Sequence, residues 1–149
     1  MNLIDETTSG GELFIKAFMA QRNSKKIPFS WSCEELDQHI FKEFKPWRAL
    51  SVDGEVIALV LFSQMDDLIE IHYLETKPEC LRQGWMGKLL KALFLEFSTH
   101  QIWLDVHESN EAAFKMYSSL GFAVSGRREK YYKDGGGAVL MALNPSQSQ

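Results

Sequence analysis

The stretch IWLDVHESNEAAFKMYSSLGF, residues 102–122, decides how this chain folds. Ile102–His107 reads as a strand, with Ile102, Leu104 and Val106 alternating against Trp103, Asp105 and His107. Asn110–Leu120 then sets Ala113, Met116, Tyr117 and Leu120 at helical spacing, and Gly121 supplies a C-terminal stop. Upstream, Trp85, Leu89, Leu93 and Phe97, with Met86, Leu90 and Phe94 beside them, recur every four residues from Gly84 to about Ser98. That stripe is wide enough to lie against a sheet. Leu68–Thr76, ended by Pro78, is a strand with Glu70, His72, Leu74 and Thr76 on one face and Ile71, Tyr73 and Glu75 on the other. Strand, helix, strand, helix in succession marks an α/β chain.

Toward the N-terminus, Leu3 and Ile4 suggest a short strand, and Gly11–Gln21 carries Leu13, Phe14, Phe18 and Met19 as an amphipathic helix. Ser32 stands three residues before Glu35, a capping box that opens a helix to about Phe44, with Trp31 where a hydrophobic staple would pack. Ala49–Val52 and Glu55–Phe62 flank Asp53-Gly54, a two-residue hairpin signal. Val56–Phe62 is apolar on both faces and belongs in the middle of a sheet. Phe122 to about Tyr132 and Ala138–Leu143 are expected as strands around the turn Lys133–Gly137, and the polar tail Asn144–Gln149 as disordered.

A length of 149 residues with 45% hydrophobic content supports one domain, expected over residues 1–143. The net charge of −4 argues against nucleic-acid binding, which needs a basic surface, and suits a cationic partner. Cys33 and Cys80 have no metal-ligand spacing around them, so neither a disulfide framework nor a bound metal is expected. No apolar run approaches the roughly 18 residues of a membrane span, and Met1–Glu6 lacks a leader pattern. The expectation is a soluble cytoplasmic protein that does not bind membranes.

Leu81-Arg82-Gln83-Gly84-Trp85-Met86-Gly87-Lys88 joins the strand ending at Thr76 to the helix after it. Such a junction aims free backbone N–H groups and the positive end of a helix dipole at one point, suiting a phosphate or pyrophosphate. Glycine here also suits a plain turn. The order of Pro78–Gly84, the helix, the strand, Ser109-Asn110, Ala113, Met116-Tyr117 and Leu120-Gly121-Phe122 resembles the GNAT acetyltransferases. Arg128-Glu129-Lys130-Tyr131-Tyr132-Lys133-Asp134-Gly135 with Ala138 and Met141, and upstream Pro28-Phe29-Ser30-Trp31-Ser32, are similar to the RimI-like group of ribosomal-protein alanine N-acetyltransferases. The resemblance covers residues 28–143.

It implies an α/β fold with a central, mostly antiparallel sheet, a parallel pair where the fourth and fifth strands meet, and helices on both faces. It implies acetyl-CoA as co-substrate and no metal. The pyrophosphate would lie on the amides of Arg82, Gln83, Gly84, Trp85, Met86, Gly87 and Lys88, and the pantetheine arm along Leu74–Thr76 with Asn110 and Tyr117 beside it. Leu81 and Met86 depart from the family pattern, Met86 setting a side chain where the pyrophosphate passes closest.

The family's general base and general acid correspond to Asp105 and Tyr117. Asp is one methylene shorter than the Glu of that group, about 1.5 Å less reach, so a bridging water is called for. Glu70 is a rival base, matching the catalytic Glu of histone-type members, and a water or backbone relay is a third possibility. Asp105 also reads as an ordinary strand-end carboxylate, Tyr117 as a core residue, Asn110 as a helix cap, and His72 and His107 as polar strand residues.

The chemistry is attack of a neutral amine on a thioester, with a hydrogen bond to the oxyanion, expected from a backbone N–H near Thr76, and a proton for the departing thiolate. Deprotonating Lys near neutral pH costs roughly 3.4 kcal/mol more than deprotonating an α-amine, at about 1.36 kcal/mol per pKa unit. The expected acceptor is therefore the N-terminal α-amine of a basic protein, by resemblance a ribosomal protein. A small-molecule amine such as a polyamine or amino acid, and a non-catalytic acyl-CoA-binding module, are the alternatives.

Overall fold

Alternating strand faces and three-to-four spaced helix stripes are realised as seven strands and four α-helices in the computed structural model, which describes residues 1–27 and 29–145. Pro28 and most of the polar tail, 146–149, lie outside the described residues. In chain order the elements are β1 (Asn2–Asp5), α1 (Gly11–Gln21), α2 (Cys33–Asp37), β2 (Trp47–Val52), β3 (Glu55–Met65), β4 (Leu68–Thr76), α3 (Trp85–Glu96), β5 (Gln101–His107), α4 (Glu111–Ser119), β6 (Ala123–Arg128) and β7 (Ala138–Leu143). The strands form one sheet in the order β1-β2-β3-β4-β5-β7-β6. β4 and β5 pair in parallel, whereas β1–β2, β2–β3, β5–β7 and β6–β7 are antiparallel.

The chain divides into two compact units, one of Met1–Ser63 with Tyr73–Leu93 and one of Gln64–His72 with the chain from Phe94 onward. In the first, Ile4, Ile15, Phe18, Leu36, Ile40, Trp47, Ala49, Val56, Leu59, Leu61 and Tyr73 form the core. The hairpin joining β2 to β3 turns through Asp53 at φ 52° and Gly54 at φ 78°. Both central residues are left-handed, as the twist of a two-residue hairpin requires. Val56–Phe62 is buried throughout, as its unbroken apolar run predicts.

Two details of this unit depart from the periodicity. On α1 the buried residues are Gly11, Ile15 and Phe18, while Leu13 is 72% exposed. Positions 11, 15 and 18 share a face, and Leu13 lies two residues, about 200°, around the helix from Gly11. The capping box is present, Glu35 N–H donating to Ser32 Oγ and Ser32 N–H to the Glu35 carboxylate, but α2 lasts five residues before widening into a π-type turn at Gln38–Lys42. Glu43 N–H reaches back to Gln38 O at 2.8 Å, and a His39 ring nitrogen lies 3.0 Å from Pro46 O.

In the second unit Ile69, Ile71, Ile102, Leu104, Val106, Phe122, Val139, Met141 and Leu143 are buried. Phe122 packs against Phe94 and Tyr117 with ring centroids 5.6 and 5.7 Å apart. Asn110 caps α4 by accepting from Ala113 N–H at 3.2 Å. Gly121, at φ 101°, ends it, with Phe122 N–H donating to Tyr117 O and Gly121 N–H to Ser118 O. These paired bonds are a Schellman stop. β6 ends at Arg128, four residues before the expected Tyr132, because Lys130 turns left-handed at φ 50° and the chain enters the loop before β7.

The strongest polar constraint in the first unit is the pair of Arg22 and Glu75. Arg22 Nε and Nη2 donate to the two Glu75 oxygens at 2.7 and 2.6 Å, and Nη2 also donates to Trp31 O at 2.7 Å. Tyr73 Oη donates to the same carboxylate, and Trp31 stacks on Tyr73 with centroids 5.0 Å apart. The Arg22 and Glu75 side chains are 2% and 1% exposed. Breaking a buried pair strands one charge and costs about 3–5 kcal/mol, whereas replacing both partners by apolar groups costs far less. Urea unfolding should therefore show Glu75→Gln and Arg22→Met each destabilised by about that amount, and Arg22→Met/Glu75→Leu destabilised by less than either single change.

Candidate active site

The residues proposed for catalysis lie in the second unit. Within the parallel ladder Glu70 is the register partner of Trp103 and Ile71 of Leu104. Asp105 is the first residue of β5 beyond that ladder. Alternation sets Trp103, Asp105 and His107 on one face of β5, and Glu70 with His72 on the matching face of β4. Ile69 and Ile71, on the other face, are fully or nearly buried.

Asp105 is half-buried, and its Oδ1 has no hydrogen-bond partner among the described residues. Arg128 Nε is 3.9 Å away, at the limit of an ion pair. The indole Nε1 of Trp103 is likewise buried and unpartnered among the described residues. An unmet donor and an unmet acceptor two residues apart on one face are an arrangement that native proteins keep for function or bound water. Burial pushes the Asp105 carboxyl above its ordinary 3.8, Arg128 pulls it down, Glu70 pushes it up and His72 pulls it down. Glu70 itself is exposed.

Tyr117 is buried on α4, and burial, then the field of Tyr132, pushes its phenol up. Its hydroxyl makes no hydrogen bond among the described residues. Tyr132 itself is pushed up to about 12 by burial, then by Asp105, Tyr131 and Asp134. Tyr132 thus feels the field of Asp105, and Tyr117 that of Tyr132. In the sequence Tyr132 stands within the Arg128–Gly135 stretch that carries the family likeness, and no local pattern gives it a role. In the structure the loop runs close against the end of β5, where a Cβ added at Gly136 would sit 2.4 Å from His107 Nε2.

In the first unit, the loop before α3 has Arg82 at φ 63° and Gly84 at φ 82°. Lys88 N–H donates to Gly84 O at 3.1 Å, so the amides of Trp85, Met86 and Gly87 belong to the first turn and have no partner within the helix. Gln83 is occupied in bracing the loop, accepting from Trp85 Nε1 at 3.0 Å and donating to Glu79 O at 3.3 Å. Lys88 Nζ lies 4.7 Å from the centre of the Trp85 ring. Met86 is only 9% exposed, while Leu81 is 51% exposed. The bulk expected at position 86 is therefore largely buried. Leu74 and Thr76, half-buried on β4, line the same unit.

The raised Asp105 carboxyl makes a testable statement about stability. A native pKa above the unfolded value means that the folded state holds its proton longer, so folding loses stability as pH rises from about 3.9 through the native pKa. Below that window the charge costs nothing, and above it the cost is complete. In thermal melts the stability difference between Asp105→Asn and wild type should move in favour of the variant between about pH 4 and neutral, and a difference constant with pH would show that Asp105 is not held above its ordinary range.

Among the described residues no helix is long and apolar enough to cross a membrane, and no cluster of His, Cys, Asp or Glu is placed to hold a metal ion. Residues 15–122 match the acetyltransferase (GNAT) family, whose members use acetyl-CoA. A ribosomal protein bS18-alanine N-acetyltransferase of Salmonella typhimurium is 32% identical over 100 residues, spanning 63% of this chain and 68% of that protein. The crystal structure of the ribosomal-protein-S18-alanine N-acetyltransferase from Escherichia coli covers 99% of this chain and 97% of its own at a TM-score of 0.77 and 27% identity. A GNAT family acetyltransferase from Elizabethkingia anophelis with acetyl-CoA bound, 16% identical, shares the fold at a TM-score of 0.70 over 96% of this chain and 97% of its own. With a glycine-turned loop before α3, a capped α4 and a carboxylate on β5 beneath that match, the chain belongs to the acetyltransferase (GNAT) family and is an N-acetyltransferase.

Proposed function

We propose that this enzyme moves the acetyl group of acetyl-CoA onto the N-terminal α-amine of a protein in the cytoplasm, and that the acceptor, as in the relatives' names, is the alanine of a ribosomal protein. The observation that carries the reading is the unmet pair on β5: a buried carboxylate oxygen at Asp105 and a buried indole N–H at Trp103.

Asp105 is the general base. Its raised carboxyl lies nearer the range in which a base works at neutral pH, and its short reach calls for one water between it and the amine. Tyr117 is the general acid, its neutral phenol kept protonated by burial until the CoA thiolate departs. The amides from Arg82 to Lys88 take the pyrophosphate, Leu74–Thr76 the pantetheine arm, and Asn110, while capping α4, touches the same arm. A main-chain N–H near Thr76 serves the oxyanion. Residues 1–143 act as one catalytic domain. An α-amine, with a pKa of about 7.7–8.0, needs only a modest base, whereas Lys at about 10.4 would need a stronger one.

Incubation with acetyl-CoA and either a peptide bearing the N-terminal alanine of bS18 or spermidine, read by mass, should yield acetylation of the peptide α-amine. Product from spermidine alone would move the acceptor to small amines. Tyr117→Phe should lower kcat by about 10²–10⁴ with little change in acetyl-CoA affinity. Asp105→Asn should shift activity toward higher pH, where the amine deprotonates unaided, and the same shift from Glu70→Gln with Asp105→Asn unaffected would make Glu70 the base. Gly84→Pro, which cannot hold φ 82° or donate an N–H, should weaken acetyl-CoA binding in calorimetry, and equal affinity would remove the loop from the site.

A further inference from the structure

The polar groups at the end of β5 form a chain that the catalytic reading does not use. His107 Nδ1 lies 3.1 Å from Ser109 N and 2.8 Å from Ser109 Oγ, and His107 Nε2 lies 2.8 Å from Asp134 Oδ2. A backbone N–H can only donate, so Nδ1 is the acceptor and Nε2 carries the proton that goes to Asp134. Asp134 Oδ1 accepts from Gly136 N–H at 2.8 Å, Tyr132 N–H donates to Gly136 O at 3.0 Å, and Glu108 N–H donates to Gly137 O at 2.9 Å. The His107 ring stacks on Tyr132 with centroids 4.9 Å apart and planes 25° from parallel. Gly136 has no room for a side chain beside that ring.

We propose that His107 is a positioning residue that latches the 129–137 loop to the end of β5, so that Tyr132 stands beside Asp105 and Tyr117 and helps anchor the water that relays the amine's proton. A bridging water needs two to four polar partners. Asp105 Oδ1, which has no hydrogen-bond partner among the described residues and has Arg128 Nε 3.9 Å away, supplies one; the Tyr132 hydroxyl, on a ring held flat against His107, supplies a second. His107 touches neither substrate nor cofactor and acts through Tyr132.

The inference rests on Asp105 as base, and the test separates the two. Hydrogen exchange of the Tyr132 and Gly136 amides should quicken in His107→Ala, which checks the latch even if the wild type proves to have another acceptor or base. In steady-state kinetics His107→Ala and Tyr132→Phe should each lower kcat by about 10- to 10²-fold, the cost of misplacing a group at a reacting centre. Acetyl-CoA affinity should be unchanged. The double variant should be no slower than the slower single, because both changes remove one function, and His107→Phe, which keeps the stack without the nitrogens, should recover part of the loss. Full additivity of the two changes, wild-type turnover in either single variant, or unaltered loop exchange in His107→Ala would each overturn the proposal.

Discussion

Two parallel neighbours cannot be joined by a tight turn, so pairing β4 with β5 obliges the chain to leave the sheet after Thr76 and return at Gln101 through a crossover. That crossover is where the glycine-bearing loop and α3 come from. The same pairing sets Glu70 against Trp103 in register, and the ladder's last pair, Ile71 with Leu104, brings Asp105 to the first position beyond it. The polar face of β4 thereby becomes continuous with the polar face of β5, and the opposite faces, Ile69, Ile71, Ile102, Leu104 and Val106, go to the core. One choice of strand direction produces both the candidate phosphate loop and the candidate proton-transfer face.

Glu75, buried, and Asp105, half-buried, show opposite uses of the same chemistry. Glu75 is surrounded by donors from Arg22 and Tyr73 and is a structural anchor for the segment that carries Trp31. Asp105 is left with an unmet oxygen and with Arg128 at arm's length, 3.9 Å away. The Glu75 oxygens are already engaged by three donors, whereas Asp105 keeps an oxygen without a hydrogen bond among the described residues. Reading the hydrogen-bond account, and not burial alone, separates the group that holds the fold from the group available for chemistry.

Much of this was legible in the sequence where a local rule acts alone. β4 and β7 have the bounds that alternation and turn residues set, and the capping box, the Asp53-Gly54 hairpin and the Gly121 stop each follow from a short-range requirement. What was not legible depends on contacts distant in the chain. Leu13 and Ile15 are both apolar, and only packing decides which one faces inward. The π-type turn at Gln38–Lys42 has no compositional mark, since it is set by bonds from Glu43 and Lys45 back to Gln38 and His39. Asp105, Tyr117 and Glu70 were reachable by family likeness. Tyr132 was not singled out, because its role comes from a loop folding back on β5 across an interval that a linear pattern does not connect.

With Asp105 as the proposed base, the loop geometry also bears on why a shorter carboxylate would be tolerated at position 105. A glutamate reaches its acceptor directly, but an aspartate needs an intermediary, and a relay water is productive only if it is held in one position and orientation. Holding it takes rigid partners, and rigidity at a loop has to be built from elsewhere in the chain. Here the building is visible: a histidine whose tautomer is set by a backbone N–H, an aspartate that bridges it to a glycine amide, and a glycine that admits the close approach. His107, Asp134 and Gly136 belong to the same arrangement as Asp105, and the missing methylene is compensated, on this reading, by order in the loop that faces it.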